Sequence, residues 1–449
     1  MRKRLLLSVL LSCLTFALFS QTWTPLSTGL DGGVSAIAGF NGNLYVSGGF
    51  DTAGGVAAKV LAKWDGSAWS SLNTGMSGQI NAFIVYQGNL YAGGRFAISG
   101  IVTMDGVIKW NGTSWSSVGM NLVSNTSAVY SLTEFNGNLY AGGNFTSAGG
   151  ISVNGIVKWD GATWTNVGSG ITGNAANYGV HSLYADNSNL YAGGSFSMAG
   201  GISANSIAKW NDTSWTNLGT GMNMNSSIYS VVDAIAEYNG NLYAGGSFDT
   251  AGGIAVAHIA KWNGNAWTNV GLGVNGVVHS LASYNGNLYA GGIFTQAGGN
   301  FGESISRWND SIWSALAGGG VFWSGGAHVP PDVSVLSIYD GNLFVGGSQF
   351  GFPGNNIVEF TSPMGIEENT ICHRINLFPN PSNGIVTLSA ENGFLDSIEI
   401  YNALGEKIYQ NKIHANKTEI DLSSEPKGMY FYRVIFEDKR IGSGKILLN

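Results

Sequence analysis

The 449-residue sequence predicts an all-β chain: a seven-bladed β-propeller whose N-terminal strand closes the last blade, then a small Ig-like β-sandwich. Three observations carry this. A core of the form Asn-Leu-Tyr-Ala-Gly-Gly-x-Phe recurs seven times, with its leucine at Leu44, Leu90, Leu139, Leu190, Leu242, Leu288 and Leu343. The intervals are 46, 49, 51, 52, 46 and 55 residues, a period near that of propeller blades. Asn-Gly and Asp-Gly dipeptides punctuate most units, and six tryptophan pairs sit five residues apart, from Trp64/Trp69 to Trp308/Trp313.

The chain opens with the basic run Arg2-Lys3-Arg4 and an apolar stretch from Leu5 to Phe19, followed by Ser20-Gln21. That pattern is a secretory signal peptide, residues 1–20, and the stretch is short for a membrane span. Leu10-Leu11-Ser12-Cys13 loosely resembles a lipoprotein signal, but apolar sequence continues past Cys13. Removal of the signal leaves Cys372 alone, so no intrachain disulfide is expected, and no transmembrane helix is expected in the mature chain.

Each unit between residues 21 and 361 reads as four strands. In the first, strand a is Val34 to Phe40 and strand b Asn43 to Phe50. Strand c is Val60 to Trp64, and strand d surrounds Trp69 to Leu72. Asn41-Gly42 and Asp65-Gly66 are expected to be two-residue type I′ turns, which need positive φ at both central residues. The tryptophans are expected to fill the wedge between blades, and the glycine doublets to allow close backbone approach or positive φ. The competing reading of the tryptophans, a stacking platform for sugars or bases, requires exposed rings. The seventh unit lacks a Trp-bearing strand d, while Trp23-Thr24-Pro25-Leu26 before the first unit matches Trp69-Ser70-Ser71-Leu72. The N-terminal strand is therefore expected to complete blade seven.

These motifs resemble the kelch family: a glycine doublet ending strand b, an aromatic in strand c and a tryptophan in strand d. They depart from it in carrying Lys before the strand-c tryptophan (Lys63, Lys109, Lys158, Lys209, Lys261).

Charge density rises after Phe360: residues 21–360 hold 8 Lys and Arg, and the 89 residues from Thr361 onward hold 9. Residues 362–373 read as a linker, and 374–449 as a β-rich domain with strand-like runs from Ile385–Leu388 to Lys445–Leu448. Its motifs resemble the type A C-terminal sorting domain of the type IX secretion system. They are Leu377-Phe378-Pro379-Asn380-Pro381 with Gly384, Ile400-Tyr401-Asn402 with Gly405, Asp421-Leu422-Ser423, Lys427-Gly428-Met429-Tyr430, and the closing Lys445-Ile446-Leu447-Leu448-Asn449. The resemblance implies a Bacteroidetes-type bacterium, Sec export, periplasmic transit and passage through the outer membrane. The type IX machinery would then be a partner, with Pro379, Asn380, Pro381, Gly384, Gly428 and Lys445 as the sorting signal. An ordinary Ig-like binding module is the competing reading.

Composition narrows the function. A formal net charge of −7, with charged residues at only 10%, argues against nucleic-acid binding, which needs a basic face. No catalytic motif is found: no Gly-x-Ser-x-Gly, no His-Glu-x-x-His and no phosphate loop. The a–b and c–d turns are short and share one face, so ligand residues are expected on the other, where the loops vary. The longest loop, from Ala317 to Asp332, carries Phe322, Trp323 and His328; Tyr178 and Tyr229 lie on others. The second residue of each strand a is Ser35, Asn81, Tyr130, His181, Asp233, His279 and Ser334, expected to form a polar ring at the channel mouth. Tyr130 joins the ligand candidates, and His181, Asp233 and His279 are candidate metal ligands, with solvated polar residues as the plainer reading. The expected protein is a monomeric, non-catalytic secreted or surface binder of a glycan or surface protein, with no cofactor. The alternatives are a polysaccharide-active enzyme with its site at the channel mouth and a structural surface component without a specific ligand.

Overall fold

A computed structural model describes residues 22–72, 75–98, 102–122, 126–173, 178–224, 230–302, 304–316, 331–350, 355–361, 375–390, 394–402, 406–436 and 441–449. The signal segment 1–20, the linker 362–373, and Phe322, Trp323, His328 and Tyr229 lie outside the described residues. The chain divides into two compact units, 1–363 and 364–449.

In the first unit the described residues form seven four-stranded antiparallel sheets, each in the order a-b-c-d. The innermost strands are Val34–Phe40, Met76–Tyr86, Val129–Phe135, Gly179–Ala185, Val231–Tyr238, Val277–Tyr284 and Asp332–Tyr339. Each contacts the next, and the seventh contacts the first. In sheet 7 the outer strand is Thr22–Pro25, paired to Ile357–Thr361 with Trp23 opposite Phe360 and their ring centroids 4.7 Å apart.

The two ends of each repeat fold for different reasons. At the a–b turns Asn41 and Gly42 take φ of 47° and 75°, and Asn136 and Gly137 take 48° and 73°, the conformation a type I′ hairpin requires. The c–d turns differ from expectation. Trp64 pairs with Trp69, so four residues span the turn, and of Asp65-Gly66 only Gly66 has positive φ. The Asp65 carboxylate instead accepts the backbone N–H groups of Ser67 and Ala68, at 2.9 and 2.8 Å, an Asx turn. Those bonds, Ala68 first, hold its carboxyl below the usual range. Asp160 and Asn263 do the same in sheets 3 and 5. The b–c connections, read from sequence only as loops, contain small hairpins such as Thr52–Ala53 with Val56–Ala57.

Packing between sheets explains the repeated residues. The tryptophans of a pair touch, with ring centroids 5.0 Å apart for Trp159 and Trp164. Most strand-d indoles reach back to the preceding sheet. The N–H of Trp69 donates to the Leu26 carbonyl at 2.8 Å, Trp215 to Val167 at 3.0 Å and Trp313 to Val270 at 2.8 Å. The acceptor lies three residues past the previous strand-d tryptophan, so Trp-x-x-Leu/Val is one inter-sheet link repeated. Glycine doublets serve close approach. A Cβ on Gly142 would lie 2.5 Å from Val180 of the next sheet, and one on Gly346 of sheet 7 would lie 2.7 Å from Val34 of sheet 1. The same contact thus links the last sheet to the first. In units 2 to 7 the second glycine of the doublet faces the start of its own strand a; a Cβ on Gly143 would collide with the Ala128 carbonyl.

The second unit packs two sheets about one core. One holds Ile375–Phe378, Ile385–Ala390 and Lys417–Asp421; the other holds Lys407–Ala415, Leu395–Tyr401, Gly428–Phe436 and Ile441–Leu448. Val386, Leu388 and Ile420 from the first meet Ile398, Ile400, Val434 and Ile446 from the second. Alternation of buried and exposed residues along Gly428–Phe436 follows the two-residue period of a strand with one face covered. No described residue is helical, and no helix among the described residues is long and apolar enough to cross a membrane.

Candidate functional site

The seven inner strands share one irregularity. Pairing with strand b breaks between Val34 and Ala36, Ile80 and Ala82, Val129 and Ser131, Val180 and Ser182, Val232 and Ala234, Val278 and Ser280, and Val333 and Val335. The skipped residues are Ser35, Asn81, Tyr130, His181, Asp233, His279 and Ser334, the series in which the repeats disagree. Each is the extra residue of a β-bulge, freed from the ladder and able to re-aim its side chain. The first six line a central cavity of about 250 Å³.

Most of these side chains contact the next inner strand round. Ser35 donates to the Ile80 carbonyl at 2.7 Å, and Asn81 to the Val129 carbonyl at 2.8 Å. The rings of Tyr130 and His181 meet at a tilt of 58°, with centroids 5.2 Å apart. His181 Nδ1 lies 3.0 Å from Asp233 Oδ1, which makes it the donor to that carboxylate. His279 Nδ1 is 3.8 Å from Asp233 Oδ2, and its Nε2 is 3.8 Å from Asp332. Burial pushes the Tyr130 hydroxyl above the ordinary phenol value, so it stays a neutral donor.

His181, Asp233 and His279 are thus brought together, but as a chain in which Asp233 sits between two imidazoles. Among the described residues no group of three or more His, Cys, Asp or Glu side chains is arranged to hold a metal ion. Tyr178 is half-buried just before the inner strand of sheet 4 and is not among the residues lining the central cavity.

Sequence reasoning missed two layers of this site. Ser131, Ser182 and Ser280, each one residue past a bulge, accept the backbone N–H of Leu183, Ile235 and Leu336 in the next sheet, at 2.9, 3.1 and 2.9 Å. These bonds fix the spacing of the inner strands beneath the ring. The second layer is a larger groove of about 630 Å³ between sheets 2 and 3, which shares Asn81 and Tyr130 with the central cavity. The signals available were the serine recurring in one repeat column and the unusual residues of unit two.

Of the residues expected to carry the sorting signal, Asn380 holds the last strand of the second unit. Asn380 donates to the Lys445 carbonyl at 2.9 Å and accepts the Leu447 N–H at 2.8 Å, clasping the strand that ends the chain. Asn380 lies between Pro379 and Pro381, both preceded by cis peptide bonds. Gly384 has φ of 125°, and a Cβ there would meet Ser423 Cα at 2.7 Å. Lys445 keeps an exposed side chain, and Gly428 begins the strand beside it. The family model described as "Secretion system C-terminal sorting domain" matches residues 376–449. The C-terminal unit is a secretion sorting domain.

This sorting domain makes the chain an exported protein of the cell surface or medium, with the type IX secretion machinery as its partner in export. A curated relative, ulvan lyase NLR42 of Nonlabens ulvanivorans, is 28% identical over 76 residues; that is 17% of this chain and only 14% of the relative's length. Among solved structures, PorZ is described as an essential bacterial surface component of the type-IX secretion system of Porphyromonas gingivalis. It is 14% identical with a TM-score of 0.46, over 95% of this chain and 60% of that one. The extracellular domain of the putative one-component system BT4673 from B. thetaiotaomicron is 11% identical with a TM-score of 0.44, over 96% and 58% of the two chains. The chain therefore spans less than two thirds of each of these proteins.

Proposed function

We propose that the first unit is a closed, seven-bladed, kelch-like propeller that works as a non-catalytic binding module, delivered to the cell surface or medium by an Ig-like sorting domain. The observation that carries this reading is the set of seven bulges. The repeat-breaking residues all leave the ladder at the same level, and six of them converge on one cavity. Architecture alone gives no reason for five different residue types among the six that line it, whereas a ligand does. The ligand is an extracellular glycan or surface protein taken at this mouth.

Glycan-array and pull-down screens with the full chain test the reading. Binding that is lost in His181→Ala and Asp233→Asn supports it, and a screen in which nothing binds contradicts it. One observation favours a second reading: Asp233 between two imidazoles could serve as an acid–base group acting on an extracellular polysaccharide. Turnover of a bound polysaccharide that disappears in Asp233→Asn, with binding intact, would favour the enzyme.

A further inference from the structure

We infer that the groove between sheets 2 and 3 is a subsite for a carboxylate-bearing saccharide, with Arg95 as its anion-recognising residue; this rests on the binding reading above. Sheet 2 departs from the repeat where the groove lies. Its first two strands, Met76–Tyr86 and Asn89–Ile98, stay paired from the bulge out to Met76 and Ile98. Their third partner, Val102–Trp110, is lengthened too. Sheets 1, 3, 4, 5 and 6 instead place a small separate hairpin at this level, as at Ser147–Ala148 with Ile151–Ser152. The long hairpin of sheet 2 forms one wall. The facing wall includes Thr126, Ala128 and Tyr130. It is pinned by Asn144, which accepts the Ala128 N–H at 2.7 Å and donates to the Thr126 carbonyl at 2.9 Å. The wall is therefore set before any ligand arrives, which lowers the ordering cost of binding.

Chemistry selects the ligand class. Arg95 is exposed, lies opposite Gln79 in the ladder, and is the only charged side chain among the described residues lining the groove. The equivalent repeat position holds Gly49, Asn144, Ser195, Ser247 and Ile293 in other units, so the cation belongs to this sheet alone among them. A guanidinium pairs with a carboxylate through two parallel N–H bonds, which a neutral sugar cannot match. The rest of the lining supplies hydroxyls and amides (Ser77, Gln79, Asn81, Thr126) and the Tyr130 ring, partners for sugar hydroxyls and a pyranose face. An extended chain entering here would reach the central cavity past Asn81 and Tyr130, which line both spaces.

Titration calorimetry of the full chain with oligogalacturonate and oligoalginate, and with methyl-esterified oligogalacturonate, tests this. Binding of an acidic oligosaccharide but not the ester, weakened by salt, is expected. Arg95→Gln should lower affinity on the order of tenfold or more, with Arg95→Lys between the two and unfolding curves unchanged. Equal affinity of Arg95→Gln and wild type, equal binding of the ester, or stronger binding of hexaglutamate than of any uronate overturns the inference. Failure of every acidic oligosaccharide, while another ligand binds and depends on His181, overturns the subsite and leaves the binding module standing; failure of all ligands overturns both.

Discussion

The residues in which the repeats disagree are those released from pairing. A bulge at each inner strand frees one side chain per sheet, and six of these line the cavity. The valine before the bulge packs against a glycine of the previous sheet in every sheet but the second, where the pair is Ile80 and Ser47. These two demands are coupled. Gly142→Ala would drive a Cβ to 2.5 Å from Val180 and should cost about 1–3 kcal/mol, read as a lower urea midpoint. Acid should act through His258. Burial holds its imidazole below the ordinary histidine value of 6.5, so the unfolded chain takes the proton more readily. Its contribution is complete above the unfolded value and is lost as pH falls below about 6.5 and through the folded value. His258→Asn, which tolerates the φ of 61° there, should flatten the stability profile between pH 7 and 5; an unchanged slope would assign the acid sensitivity elsewhere. The polar series from Ser35 to Ser334 was legible because the repeat aligns it in one column. The bulges were not, because a bulge is a relation between two strands. Nor was the role of Ser182, whose donor, Ile235, lies 53 residues away.

At the scale of elements, the outer strands are linked by indoles and the c–d turns are closed by Asp or Asn side chains. Trp215→Phe keeps most of the ring but deletes the donor to Val167, leaving a carbonyl without that partner; a loss of about 1–2 kcal/mol is expected by denaturant unfolding. Hairpin boundaries could be read from the Asn-Gly pairs and the tryptophan spacing. The c–d turn type could not: Asp-Gly suggested two residues, but the paired tryptophans leave four, and the aspartate side chain then replaces a turn hydrogen bond. The length of sheet 2 was equally hidden, because the Ser99-Gly100 turn signal reads the same in a loop between short strands as in a hairpin between long ones. That hidden extension builds the wall of the larger groove, so the least regular element is also the one with the most specific chemistry.

At the scale of the molecule, one unit holds the cavity lined by bulge residues and the other directs export. Removal of residues 374–449 should leave the first unit in the periplasm, with its signal lost from the surface and medium fractions on immunoblots; continued appearance outside the cell would separate export from the sorting domain. The sorting domain was readable because it carries several short motifs in a set order from Leu377 to Asn449. Asn380 explains part of that motif physically, since its amide holds the closing strand from 65 and 67 residues away. The central claim is that the bulged residues form a ligand site. The most direct measurement is retention of the full chain on its captured glycan or surface partner, compared with a Tyr130→Ala/His181→Ala/Asp233→Asn variant that melts at the same temperature. The bulge geometry predicts that the variant loses retention. Equal retention of both proteins would contradict it.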